Sequence, residues 1–286
     1  IRWAFVFMFI GFGTVIGLVP MHAWLPDAHS KAPSPVSALL SGLFLSVVLV
    51  VLLRIKSIID LVTQDQGEWT SKFFLVFGCM SIVLPAFILI VQKNYKRLLA
   101  YSSIEYMGLM IFAIGLGPAG VIPALMLMPA HALIKSALFM GTGALLATYK
   151  TSESKGVHEV FWRLPKTGGL FAAGTLMLLG APVSAVFPAQ LIMIGFGLQS
   201  HLWLTLLVQL MLAIIFVAMA RHVYNLLFSS YPDGAREPLA RERLTATHVV
   251  IFVQLCLALG LGVFYLTPAG LSFMVNIAST LQYGLL

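Results

Sequence analysis

Lys135 stands near the middle of the apolar stretch 121–148, about 13 residues, or ~20 Å of helix, from its nearer end. A lysine side chain cannot snorkel to either interface from there. An ammonium at the bilayer centre costs roughly 2.5–3.5 kcal/mol on the mildest scale, so it must face protein or water. His131 lies one helical turn earlier, at i−4, and shares its face. The pair is titratable and points into a bundle, and the chemistry it fits is proton exchange. Glu105 is a carboxylate two turns inside the stretch 98–117, expected to meet Lys135 or Lys96 across helices. Burial disfavours both charges and an opposite charge favours both, a balance suited to groups that change protonation during turnover. Lys96 lies at a helix end, where basic residues ordinarily snorkel.

A second cluster sits in HAWLPDAHSKAPSP, residues 22–35, which holds His22, Pro26, Asp27 and His29. Two histidines and an aspartate are possible metal ligands, but on a proline-rich turn a capped helix entry after Pro33 and Pro35 explains most of the pattern. The sequence has no nucleotide loop, nucleophile elbow or zinc-protease motif, so no metal or cofactor is expected. Cys79 and Cys256 both fall inside apolar runs and read as small buried hydrophobes.

The elements that must position these groups are membrane helices. Of 286 residues, 60% are hydrophobic and 9% charged, with mean hydropathy +0.98. So few charges cannot coat a soluble globule, where about 25% is usual. Runs long enough to cross ~30 Å of hydrocarbon recur. They are expected at 3–19, 33–53, 73–92, 98–117, 121–148, 168–198, 202–228 and 248–267, in one all-α transmembrane domain spanning 1–286. The tail 271–286 is apolar but short. Run 168–198 is too long for one straight crossing and contains Gly180, Pro182 and Pro188, so a broken helix is expected there. The first run, with Gly11, Gly13, Gly17 and Pro20, is interrupted in the same way. Two broken helices separated by continuous ones is a pattern of transporters built from inverted repeats.

Polar connections are expected at 20–32, 54–72, 93–97, 149–167 and 229–247. Twelve Lys and Arg residues fall on the side of 20–32, 93–97, 149–167 and 221–247, against four on the other. That bias puts the first side in the cytoplasm. It also accounts for the net charge of +7 without nucleic acid, since no polar domain could carry such a surface. The chain begins at Ile1 with no signal-peptide layout, and is expected to be a fragment of something longer.

Three motifs occur in order: VPMHAWLPDAHSKAPSPVSALLSG at 19–42, YKRLLAYSSIEYMG at 95–108 and HALIKSALFMGTGAL at 131–145. Together they resemble the antiporter-like, proton-conducting membrane subunits of respiratory complex I and membrane-bound hydrogenases. The likeness runs from about residue 11 to 228, and is greater to the hydrogenase-4 component F and formate-hydrogenlyase branch than to complex I itself. The resemblance implies about fourteen helices with two inverted five-helix repeats, of which this chain would be the C-terminal part. It implies that Lys135 and His131 belong to the second half-channel, that Lys96 is the basic residue before the AYSS motif, and that Glu105 is a branch-specific carboxylate. It also implies partners: other membrane-arm subunits and a peripheral redox arm carrying the iron–sulfur and nickel–iron chemistry. The setting would be a bacterial or archaeal cytoplasmic membrane.

Three positions depart from the family pattern. Val15 stands where a lysine is placed seven residues before the histidine of HAWLP. Ser46 stands where a second lysine is common, and Gln190 where the second broken helix carries a glutamate or lysine. These neutral residues leave two further readings open beside proton translocation: a degenerate scaffold without its own proton path, and a cation/proton antiporter or inorganic-carbon uptake module of the same superfamily.

Overall fold

The computed structural model describes residues 1–63, 67–230 and 242–283, with 282 and 283 described by backbone only. Positions 64–66 of the expected connection 54–72, 231–241 of the connection 221–247, and the end of the tail 271–286 lie outside the described residues. Among the described residues every extended element is a helix, and one isolated antiparallel bridge pairs Asn94 with Glu153. Seven helical segments are long and apolar enough, by length and composition, to cross a membrane.

The first of them, Arg2–Lys31, is broken. Helix α1 (Arg2–Ile16) ends at Gly17, which adopts the left-handed φ of 76° that glycine tolerates best. A Cβ there would also lie 2.5 Å from Leu25 Cδ1. After Pro20 the chain resumes as a short 3₁₀ turn and α2 (Trp24–Lys31). Backbone groups freed by a break cannot be left unpaired in hydrocarbon. The Val19 amide donates to Ser81 Oγ at 2.9 Å, and Trp24 Nε1 donates to the Thr14 carbonyl at 2.7 Å. The expected polar connection 20–32 is thus a correction: those residues form the second half of the broken segment.

Helix α3 (Ser34–Leu39) runs through a π-turn at Leu40–Phe44 into α4 (Leu45–Thr63). The connection expected at 54–72 needs the same correction, because α4 continues through Arg54 and α5 (Glu68–Val91) begins early. The charges that suggested a loop are satisfied on the helix. Lys56 Nζ donates to Asp60 Oδ2 at 2.5 Å one turn on, and Thr70 Oγ1 donates to Asp60 Oδ1.

Helix α6 (Tyr95–Gly115) is the centre of the bundle and is buried almost along its whole length. It lies close against α5 because small residues face each other. A Cβ on Gly78 would come within 2.6 Å of the Phe112 amide nitrogen, and one on Gly108 within 2.7 Å of Ser81 Cβ. Helix α7 (Val121–Tyr149) packs beside it and carries Pro129 two residues before His131. After the short α8 (Val160–Arg163), the run expected at 168–198 divides into α9 (Pro165–Leu178) and α10 (Val186–Ser200). Gly180, φ 81°, turns the chain between them. The freed Leu178 carbonyl accepts the Tyr106 hydroxyl, so α6 holds this break together. Helices α11 (Leu202–Phe228), α12 (Ala246–Tyr265) and α13 (Pro268–Tyr283) complete the chain.

Candidate functional site

Lys135 is fully buried. Its ammonium donates to the Leu99 carbonyl at 2.7 Å and to Ser102 Oγ, both on α6. Within the described residues it forms no ion pair with Glu105 inside 4.0 Å, and neither does Lys96. The direct cross-helix pair expected from the sequence is therefore not what these helices build. Glu105 instead faces a cavity of about 370 Å³. Ser102, Tyr106 and Leu178 line it, together with Gln190 of α10 and Gln209 of α11. Ser102 therefore belongs to both environments: it accepts from Lys135 and borders the cavity of Glu105.

Gln190 reaches this cavity because the second broken helix turns back there. A Cβ on Gly180 would lie 2.6 Å from Gln190 Oε1, so only glycine leaves room for the amide. Of the other two altered positions, Ser46 follows the π-turn, its hydroxyl donating back to the Gly42 carbonyl at 3.2 Å. Val15 lies in the last turn of α1, half-buried. The π-turn also brings Ser41 to α6, where its hydroxyl meets that of Ser103 at 2.8 Å.

On the other side of Lys135 are two buried histidines. His131 stacks on the Tyr106 ring at an inclination of 29°, centroids 5.2 Å apart, and His29 meets Phe139 edge-on at 5.4 Å. No described protein atom hydrogen-bonds any of their four ring nitrogens. Each is within electrostatic range of Lys135 and His131 of His29, while His29 also senses Lys96.

Lys96 does not snorkel. It is 1% exposed, and its ammonium donates to the Ala32 carbonyl at 2.6 Å, at the end of α2. Asn94 starts α6 by accepting from the Lys96 and Arg97 amides, which fixes the direction of Lys96. The exposed basic group is Arg97, paired with Asp27 at 2.7 Å. His22 lies near Tyr101, its ring centroid 6.4 Å away, and Pro26 is buried. Helix α2 thus sends Asp27 outward and His29 inward, and the motif is divided between a surface ion pair and the buried array. Among the described residues, no three His, Cys, Asp or Glu groups gather as a metal site.

Sequence reasoning passed over Ser102, Tyr106 and Gln209. Ser102 carries a usable signal, since it sits at i−3 from Glu105 on one helix face. Gln209, an amide in the apolar first half of the 27-residue helix α11, carries another.

A membrane bundle with two broken helices, enclosing lysine, histidine and glutamate between them, is the architecture of antiporter-like subunits. The chain belongs to the NADH:quinone oxidoreductase/Mrp antiporter transmembrane family, whose model matches residues 1–216. A hydrogenase-4 component F homolog from Methylacidiphilum infernorum is 35% identical over 192 residues, 67% of this chain and 40% of that protein. Hydrogenase-4 component B from Escherichia coli is 31% identical over 191 residues, 62% of this chain and 28% of that protein. The chain thus spans less than half the length of these curated relatives. In fold it matches a chain of the Mrp complex from Dietzia with a TM-score of 0.85 at 17% identity, covering 99% of this chain and 60% of that one. A chain of respiratory complex I from Thermus thermophilus matches with a TM-score of 0.80 at 23% identity, covering 98% and 59%. The antiporter-like fold and the hydrogenase-4 likeness expected from the motifs are both found.

Proposed function

We propose that this chain forms a proton-conducting part of a membrane-arm subunit in a hydrogenase-4-type or complex I-like redox complex. The observation that carries the reading is the continuity from Lys135 through Ser102 to the cavity of Glu105 at the second broken helix. Lys135, held by a carbonyl and a hydroxyl rather than by a carboxylate, can give up its proton without breaking a direct ion pair. Glu105 has room for water around it and accepts a proton through Ser102 or that water. His131 and His29 extend the array toward Lys96, at the end that the Lys and Arg bias places in the cytoplasm. Electron transfer belongs to partner subunits, and the sources of the relatives suit a prokaryotic inner membrane.

A non-conducting scaffold is the competing reading, favoured by Val15, Ser46 and Gln190. The test is proton uptake by the reconstituted whole complex, measured beside its assembly yield. Glu105→Gln keeps the shape of the side chain and removes its titration. Pumping should fall at normal assembly, and a Gln variant that assembles and pumps as the wild type does would leave only the scaffold.

A further inference from the structure

A second cavity, of about 390 Å³, runs along the face of α11 toward its C-terminal end. Its walls are Ile90 of α5 and Ala213, Val217 and Ala218 of α11, and its only polar lining is Arg221 and His222 at one end. The small residues Ala213 and Ala218 sink the floor, and Val217 is 65% exposed. His222 is fixed, its Nε2 meeting the Leu89 carbonyl at 2.9 Å. Arg221 is exposed and pairs with no carboxylate among the described residues. Lys93, also exposed, lies in the turn after α5.

An apolar trough ending in an exposed guanidinium at a membrane interface matches an amphiphile with an anionic head. We infer that the groove between α11 and α5 binds an anionic phospholipid, its phosphate at Arg221 and an acyl chain along Val217 and Ala213. Water is a poor occupant of so apolar a trough, and a neutral chain would leave Arg221 uncompensated. Ala213 and Val217 also line the Glu105 cavity, so the two spaces adjoin. The acyl chain therefore completes the lateral wall of that cavity and keeps it from opening into the bilayer. The binding site itself does not depend on what the Glu105 cavity conducts.

The test uses the full subunit in its complex, reconstituted in vesicles of dioleoyl phosphatidylcholine with or without dioleoyl phosphatidylglycerol. Val217→Cys, in a Cys256→Ser background, is labelled with a membrane-impermeant thiosulfonate. Phosphatidylglycerol should slow labelling ~5-fold, the factor that one interfacial cation contributes to anionic-lipid binding. Arg221→Gln should abolish that protection and Arg221→Lys should keep it, with assembly followed by size-exclusion chromatography. Labelling equally fast in both lipids means a water-filled groove, and labelling equally slow means a partner protein or an unselective lipid. Either result overturns the proposal.

Discussion

Ser102 accepts a hydrogen bond from the Lys135 ammonium, directs its own proton to the Leu99 carbonyl at 3.1 Å, and lines the cavity that Glu105 faces. A direct ion pair would hold both charges in place. A hydroxyl both donates and accepts, so Ser102 can pass a proton on once it turns from the Leu99 carbonyl to the cavity. Ser102→Ala should therefore leave Lys135 with the Leu99 carbonyl alone and cost about 1.5–3 kcal/mol for the lost charge-assisted bond. Proton transfer should slow while the complex still assembles, and Ser102→Thr should restore it. Wild-type pumping by an assembled Ala variant would remove Ser102 from the path.

Gly108 sets the distance between α6 and α5, and its neighbour Ser81 also holds the first broken helix through the Val19 amide. Gly108→Ala would press a methyl onto Ser81 Cβ and onto its backbone carbonyl carbon, 2.9 Å away. Overpacking of this kind costs roughly 1–3 kcal/mol, and here the displaced residue transmits it to the break at Gly17. Thermal stability in detergent should drop. Gly11→Ala, which meets nothing within 4 Å, is the matched control and should be neutral or slightly stabilising. Equal melting of the two variants would show that the α5–α6 contact is looser than these distances imply.

Glu242 ties the start of α12 to the start of α9. Its carboxylate accepts from the Lys166 amide at 2.7 Å, the Thr167 amide at 3.1 Å and the Thr167 hydroxyl at 2.5 Å, and meets His248 Nε2 at 2.9 Å. Burial by itself pushes the carboxyl up, but hydrogen bonds from the Thr167 hydroxyl, His248 and the two amides outweigh it and hold it below the usual carboxylate range. A carboxyl that is lower folded than unfolded adds stability above its unfolded value, and loses that contribution as pH falls through the folded one. The junction should stay closed at neutral pH and loosen only in acid, as the pH falls below the ordinary carboxylate range. Hydrogen exchange at the Lys166, Thr167 and His248 amides, corrected for intrinsic rate, checks this. Glu242→Gln should show at pH 7 the exchange that the wild type shows only in acid; a variant as protected as wild type would refute the assignment.

Much of this was legible in the residues themselves. Gly17 with Pro20, and Gly180 with Pro182 and Pro188, marked both breaks, because few other residues turn a helix there so cheaply. Lys135 was legible because the energy of an ammonium in hydrocarbon leaves it nowhere else to go. Hidden were the features that depend on pairing. Lys56 and Asp60 looked like loop charges until their i,i+4 bond kept α4 helical. The π-turn at Leu40–Phe44 shifts the hydrogen-bond register, which leaves no mark in composition. Proximity of Glu105 and Lys135 in two adjacent motifs suggested contact, yet Lys135 reaches α6 at Leu99 and Ser102 instead. The Glu242 junction joins residues 76 apart and follows no local pattern.

Lys135 decides between conduction and scaffolding. Among the described residues its ammonium meets the Leu99 carbonyl and the Ser102 hydroxyl, an arrangement that a purely structural cation would share. The two roles separate on substitution. Lys135→Met keeps the length of the side chain and removes the proton, so a relay should stop pumping at normal assembly. Lys135→Arg keeps the charge, but a guanidinium stays protonated at any relevant pH, so a relay should fail here too. A scaffold would tolerate arginine wherever it fits, and would suffer from methionine only through assembly. Proton uptake and assembly yield, measured on both variants of the reconstituted complex, distinguish the cases. A fully assembled Met variant that pumps at the wild-type rate would exclude Lys135 from the proton path, and with it the continuity through Ser102 to Glu105.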